Sequence, residues 1–184
     1  MIKKLLLLSV LFIGLFGVSA DSAAAQNNQT GGLSSLRLER NIRREILTLP
    51  YYGVFDAIGY QLNGSTVTLT GFVVRPITKN DAEDSVRDIA GVSRVVNNIE
   101  VLPLSPSDDR IRTRTLQTLA NRGGLYRYFL GANPAIRIIV NRGRIRLEGF
   151  VDNKGDYNLA NILTRGVTGT FGVTNNLRVM SDAR

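Results

Sequence analysis

The chain has 184 residues, a formal net charge of +8 at pH 7, and neither histidine nor cysteine. These absences exclude metal sites with His or Cys ligands, histidine-based nucleophilic triads and disulfide bonds. The positive charge comes mostly from arginine and favours anionic partners, although net charge also serves solubility.

The N-terminal segment has the layout of a secretory signal peptide. Two lysines precede an apolar run from Leu5 to Val18, which is shorter than the roughly 20 residues of a membrane span. Small residues then allow cleavage before Asp21 or before Gln26. We expect residues 1–25 to be removed on export to the periplasm or cell envelope; the alternative is an uncleaved N-terminal anchor. Residues 26–35 are polar and are predicted to be a flexible leader.

The segment 36–103 shows the pattern of one small domain. Apolar residues at spacings of three and four predict a helix over Arg37–Leu49, which a proline ends. An Asn-Gly pair then joins two alternating strands in a hairpin. A second helix is predicted to begin at an N-cap, Thr78, and to stop at Gly91, before a last strand. Gly71 leaves a gap in the second strand, where we expect a helix to cross closely.

The same order of elements returns after a proline-containing linker, residues 104–108. The second domain is placed at residues 109–181. Its first helix is predicted over Arg110–Asn121 and is followed by one more helical turn or a packed loop. A hairpin, a helix over Tyr157–Thr164 and a closing strand complete it.

The two halves match position by position at an offset of 78 residues. The identity spans strands, helices and turns, so we interpret the chain as an internal duplication. The repeated unit is longer than the repeats of solenoid proteins and occurs only twice. This predicts two self-contained domains and not a stacked array. The expected fold class is α+β, with two tandem small domains, each of helix-strand-strand-helix-strand order with a three-stranded sheet. The repeated positions that mark the motif include Gly71 and Gly149, Gly91 and Gly169, and Asn97 and Asn175.

The pattern V-x-L-x-G-x-V, a helix, and then G-V-x-x-V-x-N-x-x-x-V resembles the BON domain, named for bacterial osmotically induced and nodulation proteins. Residues 67–73 and 91–101 carry it in the first half, while Thr170 departs from it in the second half by replacing the valine after the helix. The resemblance implies an envelope protein, linked by the family's name to osmotic stress. It also implies attachment to phospholipid membranes or service as an envelope binding module.

Arginines concentrate in the second half and are the main functional lead. Arginines on lipid headgroups, with aromatic rings at the interface, suit an anionic membrane surface. Two simpler explanations stay open: the aromatic rings seal the core, and the arginines pair with Glu148, Asp152 or Asp156. The candidate binding residues are Arg110, Arg112, Arg114, Arg122, Arg127, Arg137, Arg144, Arg146, Tyr126 and Tyr128.

Other polar residues give weaker signals. The asparagine pairs Asn97-Asn98 and Asn175-Asn176 suggest local hydrogen bonds from side chain to backbone before they suggest a binding role. Four carboxylates on the second helix fit a solvated face better than an acid-base pair, because paired-carboxylate catalysis needs groups that converge on a cleft.

These observations predict a non-enzymatic envelope protein without a cofactor. It attaches peripherally to anionic phospholipid or to an envelope polymer, with envelope proteins as further partners and no role for nucleic acid. The alternative is a protein-interaction or cell-wall scaffolding module that binds by strand addition to an open sheet edge. The ligand, the oligomeric state and the docking of the two domains do not follow from the sequence.

Overall fold

The computed structural model describes residues 21–180, with side chains from Ser34 onward. Most of the predicted signal peptide therefore lies outside the described residues. The first domain contains α1 (Asp21–Leu47), β1 (Ala57–Asn63), β2 (Thr66–Val73), α2 (Pro76–Arg87) and β3 (Arg94–Val101). The second contains α3 (Pro106–Asn121), a 3₁₀ helix (Leu125–Phe129), β4 (Ile136–Asn141), β5 (Arg144–Val151), α4 (Lys154–Arg165) and β6 (Gly172–Val179).

Each domain has a three-stranded mixed sheet, which confirms the predicted fold class. In the first sheet, β2 lies between an antiparallel β1 and a parallel β3. The second sheet repeats this arrangement with β5 at its centre. The register repeats as well, because Gly71 lies opposite Ile99 and Gly149 lies opposite Leu177. The duplication in the sequence is thus a duplication of structure.

Helices cover one face of each sheet, and the core lies between them. In the first domain Ile42 of α1 and Ala82 of α2 pack with Leu69 of β2. In the second domain Leu119 of α3 and Ala160 of α4 pack with Leu147 of β5, the equivalent of Leu69. We call the opposite, helix-free face of each sheet its outer face. In the described part of the chain no helix has both the length and the apolar character required to cross a membrane.

The first helix begins earlier than predicted. The structure gives helical backbone from Asp21, so the segment 26–35 that was expected to be a flexible leader lies within α1. No proline interrupts this stretch, and three consecutive alanines at its start favour the helix. Both domains belong to one compact unit that begins at Ser35.

Two further helices also start earlier than predicted, for one shared reason. Pro76 and Pro106 each occupy the first turn, where a residue without a backbone N–H is well tolerated. Thr78 is therefore a buried residue inside α2 rather than its cap, and the predicted linker 104–108 runs into α3. Ser105 caps α3 by accepting a hydrogen bond from the Asp108 backbone N–H at 3.2 Å.

The prediction that a helix crosses at Gly71 was wrong, and the equivalent Gly149 has the same surroundings. Both residues have positive φ, +117° and +116°. A Cβ atom at Gly71 would overlap the carbonyl oxygen of Ala57 on β1, and one at Gly149 would overlap that of Ala135. Glycine is needed because the neighbouring strand backbone approaches closely and the left-handed region disfavours side chains.

The motif residues after the helices have structural roles. Gly91 and Gly169 have φ of +100° and +90° and lie in the turn after each helix, not at the helix end as predicted for Gly91. Asn97 accepts the Ile99 backbone N–H at 3.2 Å and donates to the Lys79 carbonyl of α2 at 3.0 Å. Asn175 repeats both bonds, with Leu177 at 3.2 Å and Tyr157 of α4 at 3.1 Å. The predicted local hydrogen bond is confirmed, and each asparagine also fastens the last strand to a helix.

Candidate functional site

Four of the ten candidate residues lie on the exposed side of α3 and its continuation. Arg110 and Arg114 are one turn apart and exposed, and the exposed Arg122 follows the helix directly. The 3₁₀ helix packs against α3 and carries Tyr126, whose side chain is 57% exposed. Among the described residues no carboxylate forms an ion pair with these three arginines. We call Arg110, Arg114, Arg122 and Tyr126 the α3 flank.

Arg112 does not belong to this surface, which corrects the prediction. It is only 3% exposed, forms an ion pair with Asp109, and donates to the Val140 carbonyl oxygen at 2.8 Å. Its Nε has no hydrogen-bond partner within the described chain. Burying an arginine requires that its donors find acceptors, so its role is to fasten α3 to β4.

Arg127 and Tyr128 form a partly buried polar network with Asp152 and with Asp156 of α4. The Tyr128 hydroxyl donates to Asp156 at 2.6 Å and accepts the Asp152 backbone N–H at 2.8 Å. Arg127 pairs with Asp156 and with Asp152, the latter at 3.4 Å, and its guanidinium lies 4.6 Å from the centre of the Tyr128 ring. The two simpler explanations therefore hold here: Tyr128 is 5% exposed and seals the core, and Arg127 is paired.

We predict that Tyr128 titrates later than an ordinary tyrosine. Burial, followed by its hydrogen bond to Asp156, raises the pKa of Tyr128 from 10.0 to about 12. The unfolded chain then loses the phenolic proton first, so the stabilising effect is complete below pH 10 and is lost as the pH rises towards 12. Phenolate absorbance should show a late component that belongs to Tyr128. Tyr128→Phe should remove that late component and Tyr126→Phe should keep it; the reverse result would contradict the assignment.

The remaining three candidates lie on the outer face of the second sheet. Arg144 and Arg146 alternate with the buried Ile145 and Leu147, as predicted, and both are exposed. Arg146 lies 4.0 Å from Glu148 and 5.0 Å from the centre of the Phe72 ring, which belongs to the first domain. The ten candidates therefore divide between two layers of the domain instead of forming one patch.

Arg137 is a docking residue, which corrects its assignment to an anionic-surface site. It is 6% exposed, donates to the Gly53 carbonyl oxygen at 2.7 Å, and lies 4.3 Å from the centre of the Tyr52 ring. Next to it, the Ile138 backbone N–H donates to the Val54 carbonyl oxygen at 2.8 Å. A segment of the first domain thus extends the edge of β4 and covers part of the outer face. Burial lowers the pKa of Arg137.

Sequence reasoning missed a cleft between the outer faces of the two sheets. Its volume is about 710 Å³, and four arginines contribute to its lining: Arg43, Arg137, Arg146 and Arg178. Alternation along β6 places Arg178 on the same outer face as Arg146. The position of Arg178 could therefore have been predicted from the sequence pattern. Arg43 of α1 lines the cleft because the two domains dock, and the sequence patterns do not predict that docking.

The carboxylates of α2 do not converge on a cleft. Glu83 and Asp84 both pair with Arg87 on the surface of the helix. Among the described residues no cluster of acidic side chains has the arrangement of a metal site.

Comparison with known proteins identifies a family. The BON domain profile matches residues 37–103 and 107–181. No curated protein matches the chain at a significant level. The solved structures similar to it include two of CdsD, a structural protein of the Type III secretion system of Chlamydia trachomatis.

The similarity to CdsD is distant. The C-terminal domain of CdsD is 16% identical with a TM-score of 0.31, and the match covers 78% of this chain and 64% of that one, less than two thirds of its length. The second CdsD structure is 12% identical with a TM-score of 0.31, and the match covers 80% of this chain and 95% of that one.

Proposed function

The chain belongs to the BON domain family, and on that premise we propose that it attaches peripherally to anionic phospholipid in the cell envelope. The α3 flank is the surface that makes the contact. Export through the N-terminal segment would deliver the protein to that compartment. The proposed role is non-enzymatic and requires no cofactor, in keeping with a sequence that lacks histidine and cysteine.

One observation carries the proposal: the α3 flank exposes arginines that no carboxylate of the described chain neutralises, beside an exposed tyrosine. A guanidinium at an anionic bilayer surface contributes about 1 kcal/mol. Tyrosine is favoured at the interface, where its ring meets the acyl boundary and its hydroxyl meets water. Binding of this kind is reversible and weakens as salt screens the charges.

The test is co-sedimentation of the chain with vesicles that contain phosphatidylglycerol, compared with vesicles of phosphatidylcholine alone. We expect a preference for the anionic vesicles that falls as salt is added. The double variant Arg110→Gln with Arg114→Gln should bind them about thirtyfold more weakly, because two contributions of about 1 kcal/mol are lost.

A matched double variant separates a local surface from net charge. Arg37→Gln with Arg40→Gln removes the same charge from exposed positions on α1. We expect its binding to stay within about twofold of the parent chain. Equal losses for the two double variants, or no preference for anionic vesicles, would refute attachment through the α3 flank and leave a protein partner as the remaining class of function.

A further inference from the structure

The cleft between the two sheets is a concave site that the proposed membrane contact does not use. Its volume of about 710 Å³ lies within the range of ligand-binding pockets in proteins. The α3 flank lies on the helical side of the second domain, and the cleft lies on the outer faces of the sheets. We call this second site the interdomain cleft.

The interdomain cleft has an unbalanced positive charge. Its lining contains four arginines and one carboxylate, Glu148. Glu148 already accepts a hydrogen bond from Asn176 at 2.8 Å and lies 4.0 Å from Arg146. Arg43 and Arg178 have no ion pair anywhere in the described part of the chain. Three of the four cations therefore face the cleft without a carboxylate partner of their own.

Arg137 lies deepest, and its surroundings leave it short of negative charge. It is almost fully buried, and it donates a hydrogen bond to a neutral acceptor, the Gly53 carbonyl oxygen. Asp56 interacts with Arg137 electrostatically and not through a hydrogen bond. The Asp56 carboxylate instead accepts the Gly53 and Val74 backbone N–H groups at 2.8 Å and 2.7 Å. A desolvated guanidinium is costly unless an anion or further acceptors compensate it.

The walls of the cleft are apolar next to these charges. Phe72 comes from the first sheet and Phe150 from the second, and Phe150 is 44% exposed. Tyr52 and Pro134 also line the cleft. The site thus offers guanidinium groups for an anion and aromatic surface for an organic group attached to it.

We propose that the interdomain cleft binds a small organic phosphate, with the phosphate on the arginines and the apolar body against Phe72 and Phe150. A phosphate monoester carries about two negative charges at neutral pH and matches three unpaired cations better than a single carboxylate. The guanidinium fork also fits phosphate oxygens with two donors at once. The site does not depend on membrane attachment, and its ligand bridges the two domains.

The experiment is calorimetric titration of the whole chain with soluble ligands and no vesicles. We expect phenyl phosphate to bind at least tenfold more tightly than inorganic phosphate, because only the ester reaches the aromatic walls, and phenol to show no binding. Phosphatidic acid with short chains, kept below its micelle concentration, tests the lipid source of the same phosphate monoester. Tighter binding of this lipid than of phenyl phosphate would assign the site to a lipid headgroup; weaker binding would assign it to a free phosphate ester.

Two variants locate the binding. Arg43→Gln and Arg178→Gln change exposed side chains without ion pairs, so the fold should persist, and each should weaken phenyl phosphate binding about tenfold. Arg165→Gln removes the same charge from α4, on the helical side of the sheet, and should leave binding unchanged. The proposal is overturned if phenyl phosphate does not bind, or if all three variants behave alike.

The two proposals can fail separately. Loss of vesicle binding in the Arg110→Gln and Arg114→Gln chain, with phenyl phosphate binding intact, supports both sites as distinct. Phosphate binding that disappears with those α3 substitutions and survives Arg43→Gln and Arg178→Gln would move the anion site out of the cleft.

Discussion

Replacing Gly149 with alanine is expected to lower the free energy of unfolding by about 3 kcal/mol or more. The residue has a φ of +116°, where a side chain strains the backbone. A Cβ atom would also overlap the carbonyl oxygen of Ala135, which directly precedes β4 and accepts a hydrogen bond from the Phe150 backbone N–H at 3.0 Å. Urea unfolding followed by circular dichroism measures the loss.

The duplication supplies a replicate and a control for this prediction. Gly71→Ala places the same strain and overlap in the first domain and should cost a similar amount. Gly59→Ala alters the same sheet at a glycine where a Cβ would lie 3.5 Å from the Thr70 hydroxyl, an ordinary contact. We expect that control to change stability by less than about 1 kcal/mol. If Gly149→Ala and Gly59→Ala behave alike, the close approach of the strand backbone is not what requires glycine.

Replacing Asp108 with alanine is expected to cost about 3 kcal/mol. The Asp108 carboxylate is 2% exposed and accepts the backbone N–H groups of Arg142 and Gly143, both at 2.8 Å. These two residues form the turn between β4 and β5, and Arg142 has a φ of +52°, unusual for a residue with a side chain. Without the carboxylate, two N–H groups in a partly buried turn lose their acceptors and the turn loses its support.

Chemical denaturation of two further variants calibrates the effect of Asp108. Asp108→Asn keeps one oxygen as an acceptor and should fall between the parent chain and Asp108→Ala. Asp84→Ala removes an exposed carboxylate that pairs with Arg87, and should cost less than about 1 kcal/mol. A loss below about 1 kcal/mol for Asp108→Ala would show that the turn forms without this support.

The architecture was predictable because the local signals agree with one another and occur twice. Alternating strands, helical spacing and turn glycines repeat at the same offset, so each half checks the other. The errors at helix starts have a single origin: Pro76 and Pro106 each open a helix before the position where the sequence patterns place its start. The sequence predicted a close approach to Gly71, but it did not predict that the approaching element is the backbone of β1.

The candidate site was less predictable, because arginine burial depends on tertiary contacts. Arg112 lies two residues from the exposed Arg110 and Arg114, and the packing of α3 on β4 buries it. Arg137 aligns with Gly59 of the first domain at the 78-residue offset, so the two domains differ at this position in the sequence. That difference has a physical meaning: Arg137 holds the first domain against the outer face of the second.

The contact surface itself is tested most directly by a single fluorescent label. Since the chain has no cysteine, Gln117→Cys on the α3 flank and Asn80→Cys on α2 can each carry one environment-sensitive dye at an exposed position. With phosphatidylglycerol vesicles, our account predicts that emission shifts to the blue for the label at position 117 and stays unchanged for the label at position 80. A blue shift confined to the α2 label, or of equal size at both positions, would show that the α3 flank is not where this protein meets the bilayer.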